Sequence, residues 1–158
     1  MIGPYGSAIG SYVARLSALG YLKSSDADYE VSFSNGTYSL SFSTERYYHP
    51  SVVVTITDRK GERFSVGLVE EILEPAQRVK ELEELKEIRF RYLLDDKTSD
   101  KNTWAAGIEA YMSLIMENLC NFLSAHADEL FTEDAKFLKQ YKELDLARLK
   151  AFGLPRVL

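Results

Sequence analysis

The chain has 158 residues, a formal net charge of −5, and 46% hydrophobic against 27% charged residues. That describes one globular domain long enough to bury a core without staples. The acidic balance argues against general nucleic-acid binding, which needs clustered Lys and Arg to neutralise phosphates, and suits a basic partner.

The single cysteine, Cys120, rules out an intramolecular disulfide and fits a reducing compartment. Met1-Ile2-Gly3-Pro4 has no basic region followed by an apolar run, so no signal peptide is expected. No apolar run approaches the ~20 residues of a membrane span. A cytoplasmic protein with no membrane partner is therefore expected.

Residues 5–19 predict a first helix. Tyr5, Ile9, Tyr12, Val13, Leu16 and Leu19 recur at three- and four-residue spacing, and Gly20 stands where a C-terminal cap belongs. Residues 24–28 read as a polar connector.

Residues 28–68 predict a four-stranded antiparallel meander, with strands at 28–34, 37–43, 51–58 and 62–68. Tyr29, Val31 and Phe33 alternate with polar residues, as do Tyr38, Leu40 and Phe42, which is the period of a half-buried strand. Asn35-Gly36 between them is a strong hairpin signal. A two-residue loop there sets Phe33 opposite Tyr38, Val31 opposite Leu40 and Tyr29 opposite Phe42. In the second hairpin, Val52, Val54 and Ile56 meet Phe64, Val66 and Leu68 across a three-residue loop, Arg59-Lys60-Gly61. Gly61 takes the left-handed position such a loop requires. The opposite face is rich in Ser and Thr. It reads as a solvated surface, or as a flat docking face, in a sheet covered on one side.

The connector before the third strand carries Tyr47, Tyr48 and His49, an aromatic contact candidate because Tyr is enriched at interface hot spots. Residues 69–96 hold nine acidic and five basic side chains, a net of −4. Within them, residues 75–94 predict a helix with Val79, Leu82, Leu85, Ile88 and Tyr92 as its apolar stripe. Glu70, Glu71 and Glu74, with Asp95 and Asp96 in the following loop, are candidates for an acidic patch that steers a basic partner. Residues 103–125 form the most apolar helix, expected to lie on the meander and to bury Cys120. Residues 133–152 predict the last helix.

The fold class is thus α+β: an N-terminal helix, then a four-stranded meander covered on one face by three C-terminal helices, in a single domain over residues 1–158. There is no G-x-S-x-G elbow, P-loop or G-x-G-x-x-G, and two distant histidines, His49 and His126, make no zinc site. No catalytic residue, metal or cofactor is assigned, and the protein is not expected to be an enzyme.

The layout carries a resemblance. A helix ends in Leu19-Gly20-Tyr21, strands with alternating aromatics follow, then a long helix and a polar linker. Asp128-Glu129-Leu130-Phe131 precedes the last helix. In these respects the chain resembles the small immunity proteins of bacterial toxin systems. The resemblance implies a cytoplasmic protein that binds and blocks a cognate toxin, often a nuclease with a basic groove. It transfers no individual contact residue, because such contacts differ from pair to pair. On this reading Tyr47, Tyr48, Glu70, Glu71, Glu74, Asp95 and Asp96 bind a basic toxin domain. The alternatives are a secretion chaperone or adaptor holding a client segment, monomeric or homodimeric, and a small enzyme, which would need a concave pocket with perturbed ionisable groups.

Overall fold

The computed structural model describes residues 3–44, 52–93, 101–126 and 135–151. The N-terminal segment is a 3₁₀ turn (Gly3–Tyr5) followed by α1 (Gly6–Gly10) and α2 (Val13–Ala18), where one helix is predicted. The break follows Gly10, a poor helix former, at Ser11, whose hydroxyl donates back to the Ser7 carbonyl (3.2 Å). Gly20, at φ +91°, ends α2 as expected. The Gly20 N–H donates to the Ser17 carbonyl and the Tyr21 N–H to the Leu16 carbonyl, both at 2.9 Å, the paired bonds of a Schellman cap.

A five-stranded antiparallel sheet follows in the order of the sequence: β1 (Leu22–Asp26), β2 (Glu30–Ser34), β3 (Ser39–Thr44), β4 (Val52–Thr57) and β5 (Arg63–Ser65). β1 falls largely on the segment read as a connector. Its residues are all exposed, so it lacks the alternation that marks a strand, and backbone pairing with β2 alone defines it.

The first hairpin keeps the predicted faces but shifts its register by two. Phe33 pairs with Leu40 and Val31 with Phe42. The loop is Gly36-Thr37, one position later than predicted, because the Asn35 side chain closes it. Asn35 Oδ1 accepts the N–H groups of Thr37 (2.8 Å) and Tyr38 (2.7 Å). Tyr29 loses its predicted place opposite Phe42 and is 47% exposed. The second hairpin keeps its predicted loop and register, with Ile56 opposite Phe64 and Gly61 turning at φ +82°, but Val66 and Leu68 do not pair with β4 as predicted.

Two rows of apolar side chains cross the inner face. Phe33, Leu40, Ile56 and Phe64 make one, and Val31, Phe42 and Val54 the other. Phe33 and Phe42 meet edge to face at 5.9 Å. On the opposite face one register line runs through Ser25, Ser32, Ser41, Thr55 and Ser65, with the Ser32 and Ser41 hydroxyls 2.9 Å apart.

The predicted fourth strand stops at Ser65, where α3 (Val66–Leu73) begins. Val66, Val69 and Leu73 have helical spacing, which Phe64 and Val66 had disguised as a period of two. α4 (Pro75–Ile88) starts at its proline, continues as a π-helical turn (Arg89–Leu93), and precedes α5 (Lys101–Ala125) and α6 (Ala135–Ala151). The inner face of the sheet joins Tyr5, Ile9 and Leu16 of the N-terminal segment and Met112, Met116, Leu119 and Leu123 of α5 in one core. Among the described residues no helix is long and apolar enough to cross a membrane.

Candidate functional site

α3 and α4 meet at Glu74-Pro75, and the corner brings three charged side chains inward. Val66 and Val69 fix α3 against the core, which turns the next residue, Glu70, the same way. Along α4 and its π-helical turn the inward seam is Arg78, Glu81, Leu85, Ile88 and Tyr92; it shares Leu85, Ile88 and Tyr92 with the predicted stripe but takes Arg78 and Glu81 in place of Val79 and Leu82. Val79 and Leu82 consequently face out. Glu70 is 6% and Glu81 3% exposed.

Arg78 ties the two carboxyls together. Its Nη1 lies 3.2 Å from Glu81 Oε1 and 3.8 Å from Glu70 Oε2. The guanidinium rests against the backbone of α3 at Gly67, where a Cβ would stand only 2.6 Å from Nη2. Glycine at that position is what admits the arginine.

Burial pushes the Glu70 carboxyl up to about 9, and the hydrogen bond and charge of Glu81 push the same way, against Arg78. Glu70 therefore holds its proton at neutral pH. Glu81 Oε2 is buried and receives no N–H or hydroxyl donor from the described residues. Protonated Glu70 is hydrogen-bonded to the Glu81 carboxyl. A neutral Glu70 spares the trio one buried charge.

The trio lies along a cleft of about 200 Å³ between β4 and α3–α5. Val52, Val54, Leu85, Ile115 and Leu119 supply apolar wall, and Val53, 51% exposed, borders it. An apolar cleft with a few convergent polar groups and a strongly shifted carboxyl is the usual form of a ligand site.

Of the seven residues predicted to bind a partner, the structure describes Glu70, Glu71 and Glu74. Glu70 is buried in the trio, a correction to its reading as a contact residue. Glu71 bonds Arg148 on α6 (2.8 Å). Glu74 faces His126 Nε2 at 3.4 Å, and the imidazole packs on Phe122. Each glutamate meets a cationic or imidazole side chain, so the three do not form an open acidic patch. Tyr47, Tyr48, Asp95 and Asp96 lie outside the described residues. Arg78 and Glu81 were missed. Their signal is the run back from Tyr92 through Ile88 and Leu85, which reaches 81 and 78 in steps of three and four.

Cys120 is buried on α5 as expected, and burial raises its thiol pKa. Among the described residues no group of three His, Cys, Asp or Glu is placed to hold a metal ion. Comparison with protein-family models, curated proteins and solved structures finds no match.

Proposed function

We propose that the protein is a non-catalytic binding protein whose partner is a toxin domain that it neutralises by covering it. The observation that carries this reading is an apolar stripe along the outer side of α4 and its π-helical turn. Val79 is 57%, Leu82 40% and Phe90 72% exposed. Large apolar side chains left exposed on one side of a helix, with Lys86 between Leu82 and Phe90 and Lys80, Glu83 and Glu87 beside them, match the way helices dock in partner grooves. A π-helical turn is a frequent mark of function, and here it presents the most exposed of the three. Asp95 and Asp96 follow that turn closely in sequence and, with Tyr47 and Tyr48, complete the proposed contact set. The net charge of −5 and the layout shared with immunity proteins support a basic partner.

The chaperone reading needs a free strand edge for an extended client. β1 offers the edge, but with a bulge near Ser24 and the Lys23–Asp26 ion pair (3.1 Å), devices that discourage strand addition.

The test pairs the purified protein with each toxin-like domain found encoded beside its gene. Phe90→Ala should cost about 2 kcal/mol or more of binding energy, as hot-spot aromatics do, and Leu82→Ser rather less. Unchanged binding in both would remove α4 from the interface. If the protein neither binds nor suppresses any neighbouring toxin, the reading fails.

A further inference from the structure

We infer that the cleft beside Glu70 and Glu81 is a binding site for a primary aliphatic ammonium group. The inference goes beyond the proposed toxin binding and does not depend on it.

The walls select the stem of the ligand. Val52, Val54, Ile115 and Leu119 present aliphatic surface, and ~200 Å³ holds roughly half a dozen water-sized groups, enough for a short alkyl chain with one polar head. The deep end selects the head. Glu81 is 3% exposed, and no donor among the described residues reaches its Oε2. An anion would meet two carboxyl groups there. A purely apolar head would leave the site's polar atoms as they are and gain nothing from them. A second guanidinium would compete with Arg78, which already takes Glu81 Oε1. A compact ammonium with three donors reaches both Glu81 Oε2 and Glu70.

The charge and proton balance is simple. The ammonium brings one positive charge and takes the place of the proton on Glu70, which leaves to solvent as Glu70 becomes a carboxylate. No bond other than that O–H is broken. The ionisable groups around Glu70 are Glu74 between α3 and α4, Arg78 and Glu81 on α4, and Tyr111 on α5, while β4 contributes only valines to the cleft. Because Glu70 keeps its proton until pH is about 9, the exchange is opposed at neutral pH and eased as pH rises. The ammonium is carried either by a free amine or by a lysine side chain of another protein.

The experiment is calorimetric titration of the wild-type protein with n-butylamine from pH 7 to pH 9, in two buffers of different ionisation enthalpy. 1-Butanol and N-acetyl-lysine-N-methylamide are titrated in parallel. The expected result is release of about one proton per amine bound and a Kd that falls about tenfold per pH unit. 1-Butanol should bind at least tenfold more weakly, and Glu70→Gln, whose amide occupies the same oxygen with no proton to release, should weaken amine binding at least tenfold. Equal binding of the lysine derivative assigns the site to a protein side chain, and binding of butylamine alone assigns it to a free amine. Butanol binding as tightly as the amine, a Kd flat with pH, or no binding at all overturns the inference. The wild-type pH slope decides the matter even if Glu70→Gln folds poorly.

Discussion

Glu70 shows how one side chain takes its meaning from its neighbours. In sequence it is the first acid of a charged stretch. In the fold it is a buried acid whose affinity for protons exceeds that of the unfolded chain. Its pKa rises from about 4.5 to about 9, so the folded state binds the extra proton throughout that window. The sign follows from linkage: stability is full below about pH 4.5 and declines as pH climbs towards 9. Glu70→Gln keeps a donor towards Glu81 and cannot ionise. It should flatten the decline, and at pH 9 it should exceed the wild type by on the order of 1–3 kcal/mol. Urea denaturation at pH 5, 7 and 9 measures this, and an unaltered slope in the variant would show that another group titrates. The direction of Glu70 was hidden because charge says nothing of which way a residue points. Only the phase of Val66 and Val69 says that, and reading Val66 as part of a strand that runs to residue 68 removed the phase.

The elements themselves divide by how much of their definition is carried by side-chain pattern. The second hairpin was legible in its loop and register because turn, glycine and apolar alternation agree, though not in the length of its last strand. The first was legible in its faces but not its register, since a side-chain acceptor, Asn35 Oδ1, displaced the loop by one position. β1 was invisible because backbone pairing alone makes it a strand. The α4 stripe was misphased because two apolar residues, Val79 and Leu82, point outward while Arg78 and Glu81 point in, against the usual preference. The candidate site rests on that inversion, which is why apolar periodicity passed over it. The close approach of α3 and α4 can be tested at Gly67. Alanine gains about 0.5–1 kcal/mol in a helix, but its methyl collides with the arginine that the two carboxyls hold. Overpacking costs ~1–3 kcal/mol, so Gly67→Ala should lower stability by about 1 kcal/mol in thermal or urea unfolding. In an Arg78→Met background the same change should be neutral or stabilising.

The whole molecule is an open meander whose strands each pair with the next in sequence, joined to helices by one core. The α+β class, the meander and the central apolar helix were readable from periodicity, because burying the apolar face of a single sheet requires a helical layer. That arrangement has a consequence for synthesis. The sheet is complete by Ser65, while α5, the main source of its cover, ends only at Ala125. At the ~5–20 residues per second of translation, the interval is roughly 3–12 s. During it, only the N-terminal segment and the first turns beyond β5 are at hand to shield Phe33, Phe42, Ile56 and Phe64. Nascent chains arrested after residue 93 should therefore be captured by a ribosome-associated chaperone or precipitate on release, and chains arrested with α5 wholly outside the exit tunnel should do neither. The same timing makes every ribosome that carries this message a transient display of sticky β-sheet, and crowded polysomes the place where the protein is most exposed to misassembly.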